Sequence, residues 1–308
     1  MIIIFAVLLD FLIGDPNYHY HPIRIMGRII RREEEFIRAN ITGDRGLFWA
    51  GVCMLVFNLL GTALVLFGIF SLLNSRGSTL FSLYLIYSSI AGRELVKCAN
   101  KVRLALDQSL EAARKELSMI VGRETKDLPK GKIIAATVET VAENASDGII
   151  APLFYILFFG PVGGMLYKFV NTMDSTVGYR NEKYEYLGKA AAIFDDWVNF
   201  IPARITGILF VCSAYILGYD YSNAYEIMLR DHGKHKSPNA GYPEAAMAGL
   251  LNVRLGGPSK YFGHMDNKPY IGNDIRPLES MDIIRANRVA IMSQMIFVCI
   301  MIILIAWR

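Results

Sequence analysis

The stretch Glu139–Pro152, ETVAENASDGIIAP, passes from a polar helical pattern into an apolar segment with no linker between them. Read at helical spacing, Glu139, Glu143 and Asp147 recur every four residues and fall on one stripe. Ile134, Val138, Val141 and Ala145 form a separate apolar stripe suited to packing. Like charges at that spacing repel and weaken a bare helix. A row of acids at the mouth of an apolar segment therefore calls for a cation: Mg²⁺, a basic side chain or both. The plainer alternative is a solvated helix face.

The remainder of the chain gives this boundary its meaning. Its 308 residues are 53% hydrophobic and 19% charged, with a mean hydropathy of +0.33. That is too apolar for an ordinary soluble domain and too charged for a bare bundle of spans, so a polytopic helical membrane protein with large polar loops is expected. The net charge of +4 comes without a basic tract interleaved with aromatics, which argues against nucleic acid as a partner. Cys53, Cys98, Cys212 and Cys299 are scattered with no CxxC pair, and read as small core residues.

One integral membrane domain over 1–308 is expected, with candidate segments at 2–14, 47–73, 79–96, 148–169, 200–218 and 287–307. Polar loops at 15–46, 97–147, 170–199 and 219–286 separate them. Residues 2–14 are short against the roughly 20 residues of a full span, and Asp10 should face a polar interior. The short 74–78 turn makes 47–73 and 79–96 an antiparallel hairpin. Arginines and lysines dominate both flanks of that hairpin, which places them in the cytoplasm. Residues 93–122 read as two amphipathic helices broken near Asp107–Ser109, with Gly122 as a helix-ending residue. Pro152, Gly160-Pro161 and Gly163-Gly164 interrupt 148–169, so a broken or re-entrant segment is expected there. Almost no sheet is expected, because little of the chain alternates with period two.

In the first loop, His21 and Arg24 follow the Gly14-Asp15-Pro16 turn. They suit either a phosphate- or carboxylate-binding loop or an interfacial turn, with Tyr18 and Tyr20 at headgroup depth and the nearby arginines as topology signals. Asp195-Asp196 at the entrance to the 205–218 run is costly unless paired or metal-bound. In 220–286, Asp231, His232 and His235 have the composition of a metal cluster but lack a second ligand group at zinc spacing, and read as polar loop residues. The segment EAAMAGLLNVRLGG reads as a short helix closed by Gly256-Gly257, whose start near Glu244 suits an anion. No P-loop, GxGxxG or GxSxG motif is present.

Taken in order, LLDFLIGDP with HPIRIMGR, LSMIVGRET, VETVAENASDGIIAPLFY, VNTMDSTVGYRNEKY, DDWVNFIPARIT and SPNAGYPEAAMAG resemble the CobD/CbiB family of cobalamin biosynthesis, the adenosylcobinamide-phosphate synthases. The resemblance spans nearly the whole chain. It implies a multi-pass enzyme of the cell membrane, with its active site facing the cytoplasm. Such an enzyme joins adenosylcobyric acid to an aminopropanol, usually the phosphate, through an amide bond, with ATP as cosubstrate and Mg²⁺. The implied partners are the corrinoid and aminoalcohol substrates and the lipid bilayer, with a homo-oligomer or other membrane enzymes of the pathway left open.

That chemistry needs carboxylates to hold Mg²⁺, for which Glu139, Glu143, Asp147 and Asp174 are the candidates. Arg123, Arg180, Arg204 and Arg254 would neutralise phosphate, with Asn144, Asn171 and Asn239 beside the charged motifs as further substrate contacts. Glu143 and Asp147 are also placed in the catalytic set, and Glu244, His235 or Asp196 would take the amine proton. Two other classes fit parts of the pattern. One is a Mg²⁺-dependent intramembrane transferase, though its clustered DxxxD motifs are not evident. The other is a transporter of a corrinoid or anionic metabolite, suggested by the broken spans.

Overall fold

The computed structural model describes residues 2–14, 18–179, 183–261 and 263–307. Its chain is helical almost throughout and packs as two compact units, each discontinuous in sequence. The first comprises Met1–Ala91 and Ala151–Asn199, and the second Gly92–Ile150 and Phe200–Arg308. Among the described residues, four helical stretches are long and apolar enough to cross a membrane: Asp44–Leu72, Lys130–Val177, Phe200–Leu217 and Met281–Ala306. The shortest, at 18 residues, extends about 27 Å, close to the thickness of a hydrocarbon core. The expected all-α polytopic membrane fold is therefore what the chain adopts.

The first unit holds α1 (Ile2–Ile13), α2 (Pro22–Asn40), α3 (Asp44–Leu72), α4 (Ser75–Ser89), α8 (Ala151–Val177) and α9 (Lys189–Val198). Pro22 opens α2, where a missing N–H costs nothing, and the Asn74 side chain caps α4 by accepting from the Gly77 N–H at 2.8 Å. Its core gathers Ile30 of α2, Met54 of α3, Leu85 of α4, Met173 of α8 and Leu187 before α9. At Gly160 the backbone of α8 leaves helical geometry, with φ 67° and ψ −167°, and Pro161 follows with no N–H to offer. That is the interruption expected within 148–169.

Two expected boundaries move. No single helix covers 79–96: α4 ends at Ser89, whose hydroxyl donates to the Ile86 carbonyl, and Ile90 turns to extended backbone before the next helix opens at Gly92. The first apolar run forms a 12-residue helix, shorter than a span.

The second unit holds α5 (Gly92–Gln108), α6 (Leu110–Ser118), α7 (Lys130–Ala145), α10 (Phe200–Leu217), α11 (Tyr221–Asp231), α12 (Gly241–Leu251) and α13 (Met281–Ala306). The break between α5 and α6 falls where expected, because the Ser109 hydroxyl caps α6 by accepting from the Ala112 N–H. Gly122 is not the C-cap: α6 closes earlier, at Met119. The apolar stripe Ile134, Val138, Val141 and Ala145 is fully buried, against residues that include Phe210 of α10 and Ile283 of α13. A π-helical turn, Ser146–Ile150, follows α7 and packs on α10 and α13.

Helix α12 ends four residues earlier than Gly256 would place it, with Asn252 taking the left-handed cap (φ 57°). Between α12 and α13 lie two small antiparallel pairs. β1 (Leu255–Gly256) joins β4 (Tyr270–Ile271), and β2 (Ser259–Tyr261) joins β3 (His264–Asp266). Helix α13 begins at Met281, ahead of the expected 287, because Asp282 accepts the Glu279 N–H and pairs with Arg276 and Arg285.

Candidate active site

Five elements of the second unit surround a cavity of about 200 Å³. The turn after α6 contributes Ile120, Val121, Gly122 and Arg123, and α7 contributes Glu139, Thr140, Glu143 and Asn144. Lys234, His235 and Lys236 come from the segment before α12, and Glu244 from the first turn of that helix. The strap 256–271 closes the remaining side with Gly256, Tyr261, Lys268, Pro269 and Ile271. Four cations and three carboxylates thus share one small space.

Glu139 holds the walls together. Its Oε2 accepts from Arg123 Nη2 at 2.6 Å and its Oε1 from the Gly256 N–H at 2.7 Å. Gly256 can present that N–H because it sits at φ 73°, where a Cβ would lie 2.6 Å from the Pro269 carbonyl. Arg123 also donates to the Ser259 hydroxyl at 3.3 Å, and Lys132 Nζ donates to the Gly256 carbonyl at 2.8 Å. Arg123 and Glu139 are both nearly withdrawn from solvent, so each charge depends on the other.

The other two acids differ from Glu139. Glu143 opens onto the cavity with no protein hydrogen bond to its carboxylate among the described residues, and Glu244 is buried, with His235 Nε2 at 3.6 Å. Burial, with Glu139 and Glu143 alongside, pushes the Glu244 carboxyl well above the usual carboxylate range. Burial, with the Lys268 charge nearby, lowers the His235 imidazole and favours its neutral form. The Ser237 N–H donates to His235 Nδ1 at 3.0 Å, which leaves the ring proton on Nε2, facing Glu244. Burial works against the charge of Lys268, yet its 2.9 Å hydrogen bond to the Tyr261 hydroxyl holds its pKa above the ordinary value.

Two fasteners hold the strap. Glu124, next to Arg123, accepts the Gly263 N–H at 2.6 Å and pairs with Lys260 at 3.3 Å. Lys236, next to His235, pairs with Asp266 at 2.5 Å.

Of the residues singled out from sequence, the cavity brings together Arg123, Glu139, Glu143, Asn144, His235 and Glu244. Both oxygens of Glu139 already accept short hydrogen bonds, which makes it a strut between walls and not an open metal ligand. Asp147 does not line the cavity: it lies in the π-helical turn, where the four-residue period of the stripe ends. Arg204 lies 3.4 Å from the centre of the Phe200 ring and 4.4 Å from that of Tyr242, and its Nη1 reaches the Asn239 side chain at 3.5 Å. Arg254 pairs with Asp274 and covers the Tyr270 ring. Neither arginine lines the cavity.

His21, Arg24, Asn171, Asp174 and Asp196 belong to the first unit. Arg180 lies outside the described residues, as do Asp15 and Pro16 of the expected turn. Asn171 there donates to Asp195 at 3.5 Å, and Asn199 donates to the same carboxylate at 2.9 Å. Among the described residues, no three His, Cys, Asp or Glu side chains converge to hold an ion by themselves.

Sequence reasoning missed Tyr261, Lys268, Lys234, Lys236 and Thr140. From sequence the strap falls within the polar loop 219–286, and the glycine pair at 256–257 reads only as a helix end.

A family profile described as CobD/Cbib protein matches residues 3–290. A protein of Desulfotalea psychrophila named cobalamin biosynthesis protein CobD is 43% identical, over 94% of this chain and 92% of its own length. Proteins of the same name from Clostridium perfringens (42% identical; 93% and 92% covered) and Leptospira interrogans (38%; 94% and 93%) are similar over the same extent. No solved structure matches the chain.

Proposed function

The chain belongs to the CobD/CbiB family of cobalamin biosynthesis, and on that premise we propose that it is an ATP-dependent acid–amine ligase. It joins the carboxyl group of adenosylcobyric acid to the amine of an aminopropanol, or of its phosphate, with Mg²⁺ as the required cation. One observation supports this reading above the others. Glu143 and Glu244, two carboxylates without a lysine or arginine in direct contact among the described residues, share a cavity with Arg123, Lys234, Lys236 and Lys268.

The donor set suits Mg²⁺, which is commonly held by one or two carboxylates together with phosphate oxygens and does not need a cage of three protein ligands. Glu143, together with phosphate oxygens, would hold it, and when bound it would neutralise charge on the transferring phosphate. Arg123 and Lys268 would orient the phosphate oxygens. A cavity of about 200 Å³ receives a phosphate or a small aminoalcohol, while a corrin ring must remain outside with only its reacting edge admitted.

The carboxylate of the corrinoid attacks the terminal phosphorus of ATP, forming an acyl phosphate and releasing ADP. The amine then attacks the acyl carbon, the C–O bond to phosphate breaks, and inorganic phosphate leaves. The amine must lose a proton as the C–N bond forms. Glu244, with its pKa lifted by burial, is the better base for this than an ordinary carboxylate, and His235 Nε2 lies 3.6 Å from it.

Labelling the corrinoid carboxylate with ¹⁸O tests the reading. One labelled oxygen in released inorganic phosphate is the expected result. Label in AMP would replace phosphorylation by adenylation, and amide formation without nucleotide consumption would overturn the ligase reading. The cavity would face the cytoplasm, where ATP resides. Thiol labelling of Lys126→Cys in a cysteine-free background, from the cytoplasmic side only, is the corresponding expectation.

A further inference from the structure

We propose that the outward face of α2 is a binding surface for anionic lipid headgroups. The helix presents a buried face and an exposed one. Met26, Ile30, Glu34 and Ile37 are buried in the first unit. At 100° per residue, Ile25, Ile29 and Phe36 fall within one narrow strip about a third of a turn around from the buried residues, and all three are exposed. Arg32, Arg28, Arg24 and Arg31 follow in that order around one flank of the strip. The outward face therefore pairs an apolar ridge with a band of arginines.

The band is largely uncommitted. Arg28 donates to the carbonyl and ring of His19, whereas among the described residues no hydrogen bond or ion pair engages Arg24, Arg31 or Arg32. The acids of α2 do not neutralise it. Glu33 accepts from Asn58, and Glu34 is buried between Arg38 and Lys183, which leaves Glu35 as the one acid of this helix on the outer face.

The location names the occupant. Residues 41–43 separate α2 from α3, a 29-residue helix able to cross a membrane, so the end of α2 lies within about 15 Å of the start of that helix. An apolar ridge beside arginines, held near a bilayer, has the composition of a helix lying in the headgroup layer. The ridge would sit at the acyl boundary while the guanidinium forks bind lipid phosphates. A soluble anion would use the arginines but leave Ile25, Ile29 and Phe36 in water.

The test uses the purified full chain in neutral detergent. Phosphatidylglycerol or phosphatidylcholine is titrated into the micelles, with inorganic phosphate as the free-anion arm. Thermal unfolding is followed, and retained lipids are counted by native mass spectrometry. Phosphatidylglycerol should raise Tm and be retained, and phosphatidylcholine should do neither. In the variant carrying Arg24→Gln, Arg31→Gln and Arg32→Gln, affinity for phosphatidylglycerol should fall about a hundredfold, at roughly fivefold per arginine. Phe36→Ser should weaken retention while leaving its salt dependence. All four side chains project outward, so Tm without lipid should be unchanged in each variant. Equal retention of phosphatidylglycerol by the triple variant would overturn the proposal, and so would an equal Tm shift with inorganic phosphate alone.

Discussion

Asp195 in the first unit and Glu244 in the second are both nearly withdrawn from solvent, at 8% and 5% exposure, and both carboxyls are pushed upward. Their surroundings differ. Asp195 sits in a closed network: Asn199 and Asn171 donate to it, Tyr167 donates to Asn199 at 2.8 Å, and Lys168 donates to Asn171 at 3.3 Å. Glu244 instead borders open space, with Glu143 and four cations around the same cavity. A raised carboxyl pKa is thus not itself a mark of chemistry. The distinguishing feature is room for a second molecule next to it.

The sharpest way to break this contrast is through the strut. Arg123→Ala leaves Glu139 charged and buried without its partner, and should destabilise the protein by about 3–5 kcal/mol. Thermal unfolding in detergent measures this. A loss below about 1 kcal/mol would show that the pair behaves as an exposed one. Next in size is Glu244→Gln, which should lower turnover by about 10²- to 10⁴-fold while leaving Tm near that of the parent protein. The parent's rate should rise with pH through the elevated Glu244 pKa, because the base works only when ionised, and the variant should lose that limb. Asp195→Asn should leave the profile in place. If it removes the limb instead, the roles of the two acids are reversed.

Smaller is Glu143→Gln, expected to raise the Mg²⁺ concentration for half-maximal activity about tenfold, or about 1.4 kcal/mol. An unchanged Mg²⁺ requirement would return Glu143 to a structural role. A further effect concerns Asp195 and pH. Its folded pKa, pushed up to about 6 by burial with Asp196 adding to the effect, lies above the 3.8 of an ordinary aspartate. The protonated form is therefore favoured by folding. Its contribution is full below 3.8 and is lost as pH rises through about 6. As pH falls across that window, stability should improve by at most about 1.4 kcal/mol for each pH unit crossed, and Asp195→Asn should flatten the dependence.

These particular residues also show what could be read from sequence. The helices over 44–72, 200–217 and 281–306 were legible because long apolar runs leave few alternatives. The division at Ile90 was not, because the residues on both sides continue the helical pattern. In the site, Glu139 and Glu143 stood out as like charges one turn apart. Asp147 falls outside the cavity lining, because the four-residue rule fails where a π-helical turn begins. Tyr261 and Lys268 were invisible, since strands of two or three residues carry too little alternation to reveal which side faces a cavity. Arg123 was recognisable by type, but its partner lies 16 residues away, across a turn that sequence does not fold by itself.

The fasteners of the strap give the cavity an unusual economy of parts. Glu124 and Lys236, which grip the strap, are the immediate chain neighbours of Arg123 and His235, which face the interior. Displacing Lys260–Asp266 therefore pulls on the two peptide units that position those side chains, and filling the cavity pulls on the same units from the other direction. Occupation of the cavity is therefore expected to tighten the strap. Its signature is the rate at which the amide protons of 260–266 exchange with solvent, slowed whenever the interior is occupied.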